Sequence, residues 1–380
     1  MCSIESWQLK YYGFDRLRLK SFWSARCRLV TIISVFLGIG LSPVALSHHG
    51  SNSNPELYLA ENLLRLEGEI TTIFWRNPHP RLMLKVVDEQ GVEKEWELEM
   101  GGSLNNYAAQ GVTKDFLKVG DKVKAAGVVS MRDPTMIGLI NLLMPNGEEM
   151  LTAGPGPNNS RNGELLWSTE RMVLVQKSFD PVAVQAAKDS ADGFFRVWGR
   201  RLSPRPIPEA YAGLLTEIGK ASAAEYSFAT DNPELDCRSG VPTNMFDPVP
   251  MEIINDGDRI LIHTEEHDLV RVVHMSDDRP EPVASNLGYS VGYLEGGKLI
   301  VETTHIDWPY FDPYGTPQSD QMTYKETFWI AEDDSQLNYS IVATDPVNLT
   351  APIELERAWR WQPGTAMVEF DCAAEVVASE

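Results

Sequence analysis

Short runs that alternate apolar and polar residues dominate the first part of the chain. Three of them, rich in β-branched and aromatic residues, are LEGEITTIFW, PRLMLKVVDE and EKEWELEM. A helix-forming stretch, SLNNYAAQG, comes next, and two more strand-like runs follow it, VGDKVKAAGVVS and MIGLINLLMPNG. A two-residue period is typical of strands with one buried face. The pattern predicts a small β-barrel or Greek-key domain within residues 48–150.

The second half continues the strand pattern at short spacing. A first strand is predicted in FFRVWGR, a helix from Pro208 to Ala224, and a last strand in AMVEFDC. The strands between them are predicted in PMEIIN, RILIHTEEH, LVRVVHM, YSVGYL, KLIVETTHI, MTYKETFWIA, QLNYSIVAT and IELERAWRW. Hairpin signals such as Asp256-Gly257 join many of them. The pattern predicts an all-β protein whose larger domain, residues 193–380, is an antiparallel meander closed into a lipocalin-like barrel that can hold one small ligand.

A linker separates the two β-rich parts. The stretch LTAGPGPNNSRNGE is rich in Gly, Pro, Asn and Ser, and VAVQAAKDSA after it is a good helix former. Residues 151–192 are therefore predicted to be a linker with a partly helical segment.

The first 47 residues have the composition of a secretory signal peptide. Six basic and two acidic residues flank or precede the apolar run LVTIISVFLGIGLSPVAL, and a small-residue site ends at Ser47. An uncleaved membrane anchor is the alternative. Since the whole chain carries a net charge of −21, residues 48–380 carry −25. A protein with this negative charge repels nucleic acid and anionic membrane surfaces, so neither is expected as a partner. An exported, periplasmic or secreted location is expected. The oligomeric state is not predicted.

Two cysteines, Cys237 and Cys372, follow the predicted cleavage site. Export would allow a disulfide between them, and two separate buried thiols are the alternative.

Several stretches resemble known but uncharacterised families. The segments SHHG, FWRNPHPRLMLKV, GVEKEWELE and GDKVKAAG resemble a family of small exported bacterial β-domains that begin with His-His after the signal peptide. The segments CRSGVP, ILIHTEEHDLVRVV, GYSVGYLEGGKLIVETT and SDQMTYKETF resemble a second exported β-rich domain. Thr327 and Tyr293 depart from that second pattern, in which Arg and Trp are usual. The resemblance implies architecture and export, and it implies no activity.

Histidines mark one candidate metal site. If His48 is the mature N-terminus, its amine and ring, or the ring of His49, could chelate copper or zinc together with the ring of His79. The alternative is a polar chain start and a turn histidine that packs near Trp75.

Carboxylates and histidines mark candidate catalytic positions. On a strand, His263, Glu265 and His267 would share one face, and Glu265 could pair with Arg271 inside the barrel. Glu326 lies on the otherwise apolar face of its strand, so it is expected to face inward and to be paired. Its candidate partners are Arg271, Arg357 and His305. The candidate catalytic residues are Glu265, Glu326, His305 and His267; solvent-facing histidines and a structural ion pair are the alternatives.

Aromatic residues could line the mouth of the barrel. The loop IDWPYFDPYG and its neighbouring strands suit an apolar or aromatic molecule, although plain core packing would need the same residues. With Arg271, the candidate ligand-binding residues are Tyr289, Trp308, Tyr310 and Trp329.

Three functions agree with these patterns. The leading expectation is an exported protein that binds a small apolar or aromatic molecule in the second barrel, with a small accessory domain that binds a metal. The alternatives are a cofactor-independent lyase, isomerase or hydrolase, and an adaptor that docks other exported proteins. Whether the protein is an enzyme stays open.

Overall fold

A computed structural model of the protein describes residues 58–371, except 131–132, 153–163, 173–178, 200–201, 203–206 and 247–249. The predicted targeting segment, together with His48, His49 and Cys372, lies outside the described residues. Within them, no helix is both long and apolar enough to cross a bilayer.

The small β-domain contains a closed barrel. Its strands are β1 (Tyr58–Phe74), β2 (Arg81–Val87), β3 (Glu93–Met100), β4 (Lys122–Ser130), β5 (Met136–Leu143) and β6 (Glu149–Leu151). They follow the order β3-β2-β1-β4-β5-β6, and parallel pairing of β3 with β5 closes five of them into a ring. The predicted small barrel is thereby confirmed.

The side chains that alternate toward the inside of these strands fill the small barrel. Leu82 and Leu84 of β2 and Leu98 of β3 point into one core with Ile70. A β-carbon on Gly127 would lie 2.2 Å from the carbonyl oxygen of Gly138, so glycine is required where β4 and β5 approach most closely.

The second sheet has nine strands in chain order. They are β7 (Val197–Trp198), β8 (Met251–Asp256), β9 (Arg259–Thr264), β10 (Leu269–His274), β11 (Tyr289–Glu295), β12 (Lys298–Thr304), β13 (Thr323–Ile330), β14 (Gln336–Thr344) and β15 (Ile353–Arg360). All neighbours pair antiparallel except β10 and β11, which pair in parallel through only two residue pairs. The predicted meander is confirmed apart from this crossover.

The nine-stranded sheet curls into a nearly closed barrel. The chain that follows β7 returns to β15: the backbone N–H of Gly199 donates to Arg360 over 3.0 Å, and that of Leu202 donates to Ala358 over 2.8 Å. We call this line between the first and last strands the seam. The core beneath it is filled by large side chains, among them Trp198, Phe328, Tyr339 and Trp359.

The helices follow local signals with one correction. Helix α1 (Leu104–Ala109) begins at the N-cap Ser103, and α2 (Pro181–Ser190) begins at Asp180 with Pro181 in its first turn, as predicted. The predicted helix from Pro208 to Ala224 is wrong in its first half. Two 3₁₀ turns occupy Pro208–Ala210 and Ala212–Leu214, and helix α3 (Glu217–Glu225) starts only at the capping Thr216. Helix α4 (Phe228–Asp231) follows it.

The two outermost predicted strands also need correction. Among residues 194–199, the described part of FFRVWGR, only Val197 and Trp198 form a strand. The stretch AMVEFDC does not join the second sheet: among its described residues 366–371, only Phe370 forms a β-bridge, and its partner is Asn77 of the small domain. Both sheets belong to one compact unit, and the predicted domain limits stay a prediction.

Candidate functional site

The interior of the second sheet holds a buried ion pair. Glu326 and Arg271 are each 1% exposed, and Arg271 Nη1 lies 2.9 Å from Glu326 Oε1 while Nη2 contacts Oε2. Arg271 Nε donates to Ser290, and the Tyr339 hydroxyl donates to Glu326, both over 2.9 Å. Burial lowers the pKa of Arg271, but the charge of Glu326 outweighs it and the pKa is raised. Glu326 therefore faces inward and is paired, as the alternation predicts.

The four candidate catalytic residues do not converge. Glu326 lies in the interior, whereas His305 is exposed, with φ 53° and its Nδ1 2.8 Å from the hydroxyl of Thr304. Glu265 lies elsewhere, in contact with Asn77 and Asn105 of the small domain, and His267 contacts Phe370. His305 is thus not the partner of Glu326.

The expected shared face of His263, Glu265 and His267 is wrong. Strand β9 ends at Thr264, and a 3₁₀ turn with φ 60° at His267 follows, so strand alternation stops before Glu265. His263 instead contacts Asp268, with Nε2 2.7 Å from Oδ1. The expected Glu265–Arg271 pair is also wrong, because Arg271 contacts Glu326.

The candidate ligand-binding aromatics are likewise dispersed. Tyr289 stacks on His274 with ring centroids 5.0 Å apart, and Tyr310 meets Tyr226 edge to face. Trp308 is buried against Gly240, where a β-carbon would come within 2.5 Å of its ring. Trp329 is one residue out of phase with inward-facing Phe328, and it contacts Lys298. Each of these residues therefore contacts a different set of protein neighbours.

His79 is held as a neutral hydrogen-bond acceptor. The backbone N–H of Gly102 donates to its Nδ1 over 3.2 Å. Burial, with a smaller contribution from Arg81, lowers the pKa of His79 to about 4. With Nδ1 accepting, the proton of the neutral ring is on Nε2, so neither nitrogen has a free lone pair in this arrangement. The described part of the chain contains no cluster of three His, Cys, Asp or Glu side chains suited to a metal.

Glu265 is the centre of a second buried polar cluster, which we call the junction (Asn77, Asn105, Glu265 and residues 366–371). Glu265 is 1% exposed and accepts three hydrogen bonds: from Asn77 Nδ2 at 3.1 Å, Asn105 Nδ2 at 2.9 Å and the Val368 backbone at 2.7 Å. All three donors are neutral. Burial raises the pKa of Glu265 to about 7, although the donors favour its charged form.

The start of helix α1 holds the Asn77 side chain at this cluster. The Asn77–Pro78 peptide is cis, and the Asn77 side chain accepts from the backbone of Leu104 at the start of α1 over 2.9 Å. Ring contact between His267 and Phe370, with centroids 5.0 Å apart, borders the junction. Asn77, in the motif Trp-x-Asn-Pro-His, therefore joins the small barrel to the second sheet.

A cleft of about 270 Å³ lies at the seam. We call it the seam cleft. Phe195 and Trp361 supply aromatic wall, and Arg196 stacks over Trp361 with its Cζ 4.2 Å from the ring centroid while Asp334 holds its guanidinium. The rest of the lining comes from Ala187, Ser190, Val197, residues 252–255 and residues 362–365. The cleft thus offers flat apolar surface beside polar groups.

The seam cleft and the junction partners were not predicted from the sequence. Trp361 carried a signal, since it follows Trp359 at strand spacing, but no local pattern places it beside residues 195–197. The Asn-Pro-His motif had drawn attention to Asn77, but nothing in the sequence around Glu265 indicates that the two residues are in contact.

Comparisons with known proteins give one result. No curated protein matches the chain. Residues 39–139, which include the described strands β1 to β4, match DUF6152, a family of unknown function, so this part of the chain is similar to an uncharacterised family.

Proposed function

We propose that the protein is an exported binding protein that holds a small, partly aromatic molecule in the seam cleft. The observation that carries the proposal is the cleft itself, whose lining combines the aromatic residues Trp361 and Phe195 with the polar residues Glu252, Asn255 and Gln362. Concave sites with aromatic walls and a few polar groups are typical of small-molecule binding.

The seam cleft is favoured over the barrel interior. Large rings fill the core, and the polar atoms of Glu326 and Arg271 are used by each other and by Ser290 and Tyr339. A ligand in the interior would have to break an ion pair that water cannot reach, which is costly.

Binding is also favoured over catalysis. Acid–base work needs two titratable groups within reach of one substrate. Glu326 and His305 occupy separate places, and Glu265, which lies in the same region as His267, is buried and hydrogen-bonded to Asn77, Asn105 and Val368. Neither Glu265 nor His267 lines the seam cleft.

The small domain then serves as an internal support. The loop around Asn77, the obvious surface for an adaptor, is occupied by residues 366–371 of the same chain. A foreign protein that used this loop would have to displace them.

Two features support export. The basic and apolar prefix resembles a signal peptide, and Cys237 is disulfide-bonded, with its partner outside the described residues. Disulfides persist mainly in oxidising compartments. Sequencing the N-terminus of protein from its native host should give a start at or near His48; a start at Met1 would contradict export by cleavage.

The binding proposal is tested with a neutral planar probe, 2-naphthol, in a calorimetric titration. Trp361→Ala should weaken binding about tenfold, which equals about 1.4 kcal/mol, because it removes aromatic wall. Ser190→Trp adds bulk at the exposed last residue of α2, which lines the cleft, and should abolish binding without removing a buried contact. Trp329→Ala, on the outer face, is the control and should bind as the parent does. Equal binding in all four proteins, or none in the parent, would refute the proposal.

A further inference from the structure

One segment joins the seam cleft to the junction. We call residues 361–371 the closing segment. Its first five residues, 361–365, line the cleft, and Ala366, Val368, Glu369, Phe370 and Asp371 contact the small domain or Glu265. Only two residues separate Thr365 in the cleft wall from Val368 at Glu265.

We infer that Asn77, Asn105 and Glu265 are positioning residues for the seam cleft: they touch no part of it, but they fix the closing segment that forms one of its walls. The inference rests on the proposed function and names three residues outside the cleft that determine its affinity.

The closing segment is held at two ends. At the first, the Trp361 backbone donates to Ser335 over 2.8 Å and Arg196 covers the Trp361 ring. Between the ends, residues 362–365 form a turn, in which the Thr365 N–H donates to Gln362 over 3.0 Å. This turn lies outside the sheet ladder and packs beside Gly199, Phe179 and Val184. Its two ends connect it to β15 and to the junction.

The second end is the junction. Val368 donates to Glu265 over 2.7 Å, Asn105 donates to the carbonyl of Ala366 over 3.3 Å, and Arg76 pairs with Asp371 at 2.8 Å. Asn77 and Asn105 each bind both Glu265 and a backbone carbonyl of the closing segment. These two amides therefore cross-link three segments that are distant in sequence.

Loss of the junction should free the cleft wall. Without Glu265, the Val368 N–H and the two amide groups lose their common acceptor, and residues 366–371 lose their contact with the turn that follows β9. The turn at residues 362–365 then samples several positions, and a ligand must order it on binding, which lowers affinity.

The test uses the whole protein and two readouts. Glu265→Ala and the milder Asn105→Ala are compared with Glu149→Ala, which removes another buried carboxylate. Glu149 binds backbone N–H groups of Leu166, Trp167 and Ser168, none of which lines the cleft. Affinity for 2-naphthol is measured well below every melting midpoint, and hydrogen exchange is followed for peptides that cover residues 361–371.

Both junction variants should bind 2-naphthol more weakly, Glu265→Ala by about fivefold or more, and should exchange faster at residues 361–365. Glu149→Ala should lose stability but keep parental affinity and exchange there. Parental affinity in Glu265→Ala, despite faster exchange at residues 366–371, would overturn the inference and leave the proposed function intact. If the parent itself does not bind 2-naphthol, the proposed function fails, and unchanged exchange at residues 361–365 would then overturn the positioning role as well.

Discussion

Glu326 and Glu265 are equally buried, each 1% exposed, but their surroundings differ in charge. Glu326 lies against the guanidinium of Arg271, whereas Glu265 receives hydrogen bonds only from neutral amides and a backbone N–H. The burial of Glu265, which only neutral donors offset, raises its pKa to about 7.

This difference in surroundings goes with a difference in structural role. The Glu326–Arg271 pair cross-links strands β10 and β13 inside one sheet, so breaking it should affect the whole second domain. Glu265 links the second sheet to the small domain and to the closing segment, so changes there should act locally and should depend on pH.

The largest effect is expected at the interior pair. Glu326→Ala leaves Arg271 buried without its counter-ion and should lower the free energy of unfolding by about 3–5 kcal/mol. The double variant Glu326→Leu with Arg271→Met should recover most of this loss, because neither charge remains. Urea unfolding measures both. If the double variant is as unstable as Glu326→Ala, the loss of stability does not come from an unpaired charge on Arg271.

A smaller, pH-dependent effect is expected at the junction. The pKa of Glu265 is raised from 4.5 to about 7, so the folded protein holds the proton more tightly than the unfolded chain does. Its contribution is fully present below pH 4.5 and is lost as pH rises through 7. Between pH 5 and 8 the parent should lose about 2–3 kcal/mol relative to Glu265→Gln. Parallel pH profiles of the two proteins would contradict a neutral, buried Glu265.

The charged neighbours of the junction do not change this sign. Arg76 is paired with Asp371, and Glu369 contributes its backbone carbonyl to Asn77. His79 and His267 lie in the same region, so the comparison with Glu265→Gln is needed to isolate the titration of Glu265.

His79 should make stability depend on pH in the opposite direction and by a smaller amount. Its pKa is lowered to about 4, so the unfolded chain binds a proton first as pH falls. The stability it contributes is present above pH 6.5 and is lost as pH falls through 4. Since the ring is partly exposed, we expect about 1–2 kcal/mol between pH 7 and 4. His79→Gln, which keeps an acceptor near Gly102, should reduce the loss of stability between pH 7 and 4, as measured by thermal melts at a series of pH values. If the loss is unchanged, other groups cause it.

Alternation in the sequence predicted the strands and the inward position of Glu326, because both depend on local period and burial. It failed at Glu265, because the strand ends at Thr264, three residues before the predicted end at His267. It also assigned residues 366–371 to the second sheet, since an apolar run cannot show which domain it contacts. The seam cleft could not be predicted, because residues 195–197, 252–255 and 361–365 meet only when the sheet closes.

The most direct test of the account is to map 2-naphthol binding by amide and indole chemical shifts in the isotope-labelled protein. We expect shifts at the Trp361 indole and at the backbone of residues 195–197, 252–255 and 361–365, with weaker shifts continuing to Val368 and Glu265. Shifts confined to the surroundings of Arg271 and Glu326, or no saturable shifts at all, would contradict it.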